Sequence, residues 1–198
     1  MQFFERLKTY DIILASQSPR RRELLAMSGI PFRVLAKPVS EEFPEKLPPH
    51  EVALLLCRHK AQAFSDELKD ERVVVISADT IVVVDGKIIN KPGDHALAVE
   101  MLRSLSGKAH EVITGVCLRH RDSIRQFYET TTVFFRDLSD EEIQYYVTHY
   151  KPFDKAGAYG IQEWIGHVGI HHIEGSYPNV VGLPVERVFT ELKTLIGG

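Results

Sequence analysis

A long apolar run from Arg72 to Val84, rich in β-branched residues, sets the first condition on the fold. The run ends at Asp85-Gly86, a dipeptide that suits the two-residue turn of a β-hairpin. A segment that is apolar on both faces is typical of a strand buried deep in a sheet. We therefore expect the core to be built around this strand.

Asp79 interrupts this apolar run, directly before Thr80. An unpaired carboxylate is costly inside a sheet, so the side chain needs a metal, a cation or a catalytic task. The alternative is a structural aspartate that is hydrogen-bonded to neighbouring backbone.

The order of the other segments predicts a mixed α/β fold. Strands are expected over Asp11–Ala15, Phe32–Ala36, Glu111–Arg119, Ser123–Phe135 and Val168–Ile173. Helices are expected over Pro19–Ser28, His50–Asp70, Asp94–Leu105, Ser139–Tyr150 and Pro184–Leu195, with a loop over Lys37–Pro49. We find no repeat, low-complexity tract or linker, so the simplest interpretation is a single domain over residues 1–198.

Composition limits the class of protein and of partner. The chain has 198 residues, of which 44% are hydrophobic and 26% charged, as in ordinary soluble proteins. A net charge of −3 argues against a nucleic-acid polymer as partner. Cys57 and Cys117 are isolated, which indicates neither a disulfide framework nor a zinc site. No apolar run approaches the ~20 residues that span a bilayer, so we expect a soluble protein of the cytoplasm without a membrane partner.

The segment Ser16–Arg22 reads Ser-Gln-Ser-Pro-Arg-Arg-Arg, between a strand-like and a helix-like run. Ser18 suits the N-cap of the helix and Pro19 its first position. The arginines would then lie in the first turn, where the helix dipole already presents positive charge. Such an arrangement favours a bound phosphate, and the alternative is a solvated basic turn.

Two further segments contain candidate polar residues. Asp154–Gln162 combines small residues that allow close approach of a ligand with Gln162, whose amide is both donor and acceptor, although such a segment is also typical of a simple turn. His167, His171 and His172 lie in a segment that alternates like a strand. They have no partner ligands at zinc spacing, so we expect a strand surface or dimer contact there rather than a metal site.

Four strings carry a resemblance to a known family. They are Leu14-Ala15-Ser16-Gln17-Ser18-Pro19-Arg20-Arg21 with Glu23-Leu24-Leu25, Ser77-Ala78-Asp79-Thr80 with Lys91-Pro92, the segment Asp154–Gln162, and Glu174-Gly175-Ser176-Tyr177 with Val181-Gly182-Leu183-Pro184. Together they resemble the Maf family of nucleoside triphosphate pyrophosphatases, over about Asp11 to Leu195. The resemblance implies a three-layer α/β fold around a long mixed sheet with a two-lobed cleft, similar to the inosine triphosphate pyrophosphatases.

The resemblance also implies roles for individual residues. Asp79 would be the general base or a metal ligand, or both, and Thr80 would face the base. The residues expected to bind substrate are Ser16, Ser18, Arg20, Arg21, Lys60, Thr80, Lys91 and Gln162. The metal would be Mg²⁺ or Mn²⁺. Family members place an acid near residues 38–43 where this chain has Ser40, so either Glu41 or Glu42 would be the second metal ligand.

The string around Gln162 is similar to the subgroup that acts on dTTP and UTP. The implied reaction splits the triphosphate between its α- and β-phosphates, removing non-standard or excess nucleotides. Two alternatives remain: a pyrophosphatase with another base preference, such as 7-methyl-GTP, and a nucleotide-binding regulator of septum formation. Asp79 distinguishes the enzyme from the regulator, because a protein that only binds a nucleotide needs no general base. By analogy with the family, a homodimer is expected.

Overall fold

A computed structural model describes residues 2–197 of the chain. Its α-helices are α1 (Gln2–Leu7), α2 (Pro19–Met27), α3 (Pro49–Gln62), α4 (His95–Leu105), α5 (Asp140–Tyr150), α6 (Trp164–Gly169), α7 (Tyr177–Val181) and α8 (Val185–Gly197). Its strands are β1 (Asp11–Leu14), β2 (Arg33–Val34), β3 (Val73–Val84), β4 (Lys87–Ile89), β5 (Ala109–His120), β6 (Ser123–Phe135) and β7 (Ile170–Glu174). Short 3₁₀ helices cover Glu67–Lys69 and Ala156–Ala158.

Within the described residues, the strands form a seven-stranded sheet in the order β2-β1-β3-β5-β6-β7, with β4 paired to β3. β1 runs parallel to both β2 and β3, whereas β4 is antiparallel to β3. Parallel neighbours require crossover connections, which α2 and α3 supply. The mixed α/β class is therefore confirmed.

The apolar run behaves as its sequence predicts. β3 spans Val73–Val84, and every residue in it is buried except Thr80, which is partly exposed. Asp85 and Gly86 have φ values of 50° and 75°, the positive angles that a two-residue hairpin turn needs at both positions. The hairpin connects β3 to β4, as expected.

The chain forms two compact units. The first unit comprises residues 2–79, 114–129 and 182–197, and the second comprises Thr80–Ile113 and Thr130–Val181. The expectation of a single domain stays a prediction. No helix between residues 2 and 197 is both long and apolar enough to span a membrane.

In the first unit, α3 packs tightly on the sheet. Cys57, Ala61 and Phe64 share a hydrophobic core with Ile13 of β1 and other strand residues. β5 comes so close to α3 that a Cβ on Gly115 would lie 2.4 Å from the backbone oxygen of Ala53. This packing holds the helix, and with it the side chains on its last turn, in one place.

In the second unit, α4 and α5 cover a separate hydrophobic core. Leu102, Leu105, Tyr146 and Val147 are among its buried residues. α5 begins with the capping box that its sequence predicts, because Ser139 caps the helix and Glu142 bonds back to the Ser139 N–H.

Three expected elements are different in the structure. The helix expected over His50–Asp70 ends at Gln62, and a turn and a 3₁₀ helix follow it. Phe64 and Leu68 still join the same core as Ala61, so the apolar periodicity continues through the break. The strand expected over Phe32–Ala36 contains only Arg33 and Val34, which pair with the short strand β1.

The strand expected over Val168–Ile173 begins only at Ile170, after helix α6. One turn of helix brings Ile165 and Gly169 to the same buried face, and this burial favours a helix over the expected strand at these residues. His167 lies in this helix, whereas His171 and His172 lie in β7, and all of them are exposed.

Candidate active site

The turn between β1 and α2 has the expected cap. Ser18 is the N-cap, and its Oγ accepts from the backbone N–H of Arg21 at 3.4 Å. The Ser16 Oγ is buried and accepts from the Ser18 N–H at 3.2 Å. Pro19 occupies the first helical position, as predicted. The two serines thus hold the backbone that leads into the arginine cluster.

The arginines of this cluster differ in their surroundings. Arg21 donates from Nε to the backbone oxygen of Gly182 at 2.8 Å, and its Nη1 lies 3.5 Å from the Ser16 Oγ. Arg20 is partly exposed and Arg22 is exposed. The contacts with Gly182 and Ser16 hold the Arg21 guanidinium in place.

Desolvation lowers the pKa of Arg21 from its ordinary value, and attraction to Asp79 and Glu41 opposes this effect. A guanidinium remains charged even so. The Arg21 cation therefore lies within electrostatic reach of two carboxylates of the first unit.

Asp79 has a charged partner. The Lys60 Nζ, on the last turn of α3, donates to Asp79 Oδ1, and it lies 2.9 Å from Glu41 Oε1. The side chains of Lys60 and Asp79 are only 17% and 11% exposed, whereas that of Glu41 is 52% exposed. Asp79 is thus the buried side of an ion cluster that reaches solvent at Glu41.

The sequence left open whether Glu41 or Glu42 faces the cluster. Glu41 is the acid whose carboxylate contacts Lys60. The Glu42 backbone N–H instead donates to the Ser40 Oγ at 3.2 Å, which turns the chain at this point. The structure therefore favours Glu41 as the partner of Asp79.

Asp79 and Glu41 both contact Lys60, so two carboxylates lie close to one ammonium group. Mg²⁺ is typically bound by one or two carboxylates together with substrate phosphates and water. Among the described residues, no group of three or more His, Cys, Asp or Glu side chains forms a metal site by itself. Asp79 and Glu41 supply carboxylate oxygens of the kind that a phosphate-bound cation takes, and their role as metal ligands stays a prediction. The expectation that His167, His171 and His172 bind no metal also stays a prediction.

Other expected site residues lie in the second unit. Thr80 follows Asp79 on β3, and Lys91 is exposed after β4. Gln162 is partly buried, and its Oε1 is a buried atom that lacks a hydrogen-bond partner among the described residues. A buried acceptor without a donor is uncommon and calls for an explanation.

The sequence did not single out Glu163 or Tyr146. Glu163 Oε1 lies 3.2 Å from the nearly buried Lys155 Nζ, and the Tyr146 hydroxyl donates to Glu163 Oε2. The only sequence feature that could have pointed to Glu163 was its position directly after Gln162. Tyr146 looked like an ordinary apolar position of α5, because nothing local reveals the partner of its hydroxyl.

Comparison with known proteins gives a consistent result. The family model for Maf-like protein matches residues 11–195. A dTTP/UTP pyrophosphatase of Porphyromonas gingivalis is 50% identical over 191 residues, covering 96% of this chain and 96% of that protein. A protein of the same name from Phocaeicola vulgatus is 50% identical over 192 residues, covering 96% and 99% of the two chains. A third, from Christiangramia forsetii, is 48% identical over 192 residues, covering 97% of each. With its strings of motif residues and this similarity over nearly its whole length, the chain belongs to the Maf family.

Proposed function

We propose that this chain hydrolyses dTTP and UTP to the nucleoside monophosphate and pyrophosphate. The observation that carries the proposal is the cluster of Asp79, Lys60 and Glu41 in the same unit as the fixed Arg21. The names of relatives at 48–50% identity support the choice of substrate.

The first unit contains the groups that would bind the triphosphate. Arg20 and Arg21 present guanidinium groups at the N-terminus of α2, where backbone N–H groups and the helix dipole also favour an anion. Ser16 and Ser18 shape this turn. These groups would offset the negative charge that develops on the leaving pyrophosphate.

Asp79 would act on the attacking water. The new bond joins the water oxygen to the α-phosphorus, while the bond from that phosphorus to the bridging oxygen breaks and pyrophosphate leaves. Asp79 accepts the proton of the water, and Lys60 orients the Asp79 carboxylate by its hydrogen bond. The Lys60 ammonium would also attract the phosphate oxygens.

Asp79 and Glu41 would hold the divalent cation, Mg²⁺ or Mn²⁺. When bound, such an ion polarises phosphate oxygens and lowers the pKa of a bound water. In the second unit, Thr80 and Lys91 would contribute to substrate binding, and Gln162 would contact the pyrimidine. A cytoplasmic location and a homodimer remain predictions of the family resemblance.

The test is pyrophosphate release from dTTP, UTP, CTP and 7-methyl-GTP, with Mg²⁺ or Mn²⁺ and with a chelator. We expect release from dTTP and UTP that requires the metal. Asp79→Asn should lower turnover at least about 10²-fold, since general-base catalysis typically contributes 10²–10⁴-fold. Asp85→Asn is the matched control, because Asp85 pairs with Lys108 on the surface and asparagine tolerates its positive φ.

Three outcomes would contradict parts of this proposal. Near-normal turnover in Asp79→Asn would refute the role of Asp79. Release only from 7-methyl-GTP would keep the reaction and refute the pyrimidine preference. Nucleotide binding without any release would favour the regulatory alternative.

A further inference from the structure

A chain of polar contacts connects α5 to the segment that contains Gln162. Lys155 Nζ lies 2.9 Å from Asp154 Oδ1 and 3.2 Å from Glu163 Oε1. The Tyr146 hydroxyl donates to Glu163 Oε2 and accepts from the Gly160 N–H at 3.0 Å. The contacts thus bind both ends of the segment 155–163 to each other and to the helix.

These contacts are largely removed from solvent. Tyr146 is fully buried, and the side chains of Lys155 and Glu163 are 10% and 20% exposed. Burial, reinforced by the hydrogen bond to Glu163, raises the pKa of the Tyr146 hydroxyl, which remains a donor. A buried ion pair contributes little net stability compared with apolar residues of the same volume, so its presence suggests a role in defining geometry.

The backbone around Gln162 is also tightly packed. A Cβ on Gly160 would lie 3.0 Å from Gln162 Nε2 and 2.9 Å from Glu163 Cδ. A Cβ on Gly166 would lie 1.8 Å from the Ile161 backbone oxygen. Neither Gly160 nor Gly166 has room for a side chain unless these neighbours shift, and the Gln162 amide nitrogen lies in the space that Gly160 leaves open.

The orientation of the Gln162 amide decides which base it can bind. In uracil and thymine the ring N3 carries a hydrogen and is a donor, whereas N3 of cytosine is an acceptor. A freely rotating amide can satisfy either pattern, because it has both an acceptor oxygen and a donor nitrogen. The Gln162 Oε1 is a buried acceptor that lacks a donor among the described residues, and an amide held in this orientation would accept from the N3–H of uracil or thymine.

We propose that Tyr146, Lys155 and Glu163 are positioning residues that hold Gln162 for uracil and thymine and against cytosine. They act through the backbone of segment 155–163 and do not touch the nucleotide. The inference rests on the proposed function, since it concerns the base preference of the same reaction.

The main experiment compares kcat and KM for UTP and CTP in Tyr146→Phe and in Tyr145→Phe. Tyr146→Phe removes the hydroxyl that connects Glu163 to Gly160. We expect its KM for UTP to rise about tenfold, with kcat little changed and with the preference for UTP over CTP reduced. Tyr145→Phe is the matched control, because Tyr145 is the exposed neighbour on the same helix and keeps its ring.

A second pair of variants tests the ionic contact. Lys155→Met should lower the preference for UTP, whereas Lys155→Arg, which can still pair with Glu163, should largely keep it. Thermal unfolding shows whether each variant folds. If Tyr146→Phe does not fold, Glu163→Gln replaces it, since it removes the charge and keeps an acceptor for the tyrosine hydroxyl.

The positioning role would be overturned if the variants lost kcat/KM equally for UTP and CTP. It would also be overturned if the preference for UTP over CTP were unchanged in all variants. Failure of the proposed function has a different signature, namely no pyrophosphate release by the unmodified protein from any nucleotide. In that case calorimetric binding of UTP and CTP to the same variants tests the positioning of Gln162, and unchanged relative affinities would refute it.

Discussion

Replacing His110 by phenylalanine is expected to weaken the pH dependence of stability in mildly acidic solution. His110 lies on β5 in the second unit and is only 2% exposed. Its Nε2 lies 2.7 Å from the Tyr159 hydroxyl, and its ring stacks on Phe135 with centroids 5.6 Å apart. Its Nδ1 is buried and has no hydrogen-bond partner among the described residues. A proton on this ring would therefore create a poorly solvated charge.

Burial lowers the pKa of His110 from 6.5 to about 4 in the folded protein. The ring is thus neutral when folded, whereas the unfolded chain takes up a proton near pH 6.5. Stability from this group is fully present above pH 6.5 and is lost as the pH falls towards 4. At about 1.4 kcal/mol for each pKa unit, the complete loss is about 3 kcal/mol, of which about 2 kcal/mol is lost by pH 5.

The assay is urea unfolding followed by circular dichroism at pH 7, 6 and 5. The unmodified protein should lose about 2 kcal/mol more than His110→Phe between pH 7 and 5, because all other titrating groups are common to both. The variant leaves the Tyr159 hydroxyl without its partner, which lowers stability by about the same amount at each pH. His171→Gln is the control, since His171 is exposed. Parallel pH profiles for the unmodified protein and His110→Phe would refute the argument.

Two further predictions concern Lys60 and the close packing of α3. Lys60→Met should increase the affinity of the nucleotide-free protein for Mn²⁺ at least about tenfold, because Asp79 and Glu41 lose the ammonium group that they share. Electron paramagnetic resonance of Mn²⁺ measures this affinity. Unchanged affinity would show that the carboxylates do not bind the metal. Gly115→Ala should lower the free energy of unfolding by about 1–3 kcal/mol, because the new Cβ would lie 2.4 Å from the Ala53 oxygen. Gly93→Ala, whose Cβ would meet only a leucine methyl at 3.9 Å, is the control in the same urea titration, and equal losses would refute the packing argument.

Expectations from local sequence signals agree best with the structure. The cap at Ser18, the hairpin at Asp85-Gly86 and the capping box at Ser139 each depend on contacts within a few residues. Expectations based on apolar periodicity were less accurate at the ends of elements. The pattern of α3 continues into a 3₁₀ helix because Leu68 reaches the same core by a different backbone path.

The sequence likewise indicated some residues of the candidate site and missed some of their contacts. The sequence indicated Asp79 as exceptional, because a carboxylate in an apolar strand is costly whatever surrounds it. It also indicated the arginine cluster and, through the family resemblance, Lys60 and Gln162. It did not indicate that Glu41 rather than Glu42 contacts Lys60, since both acids lie in a loop without periodicity.

The sequence by itself determined the class of fold, the strand that carries Asp79 and the capped turn before the arginines, because these follow from short-range preferences and from the cost of burying charge. Only the tertiary structure decided which charges meet. Lys60 reaches Asp79 because the packing of α3 on the sheet brings its last turn to β3, and Tyr146 reaches Glu163 because α5 covers the segment around Gln162. Contacts between groups far apart in sequence depend on how the elements pack, and no local pattern encodes that packing.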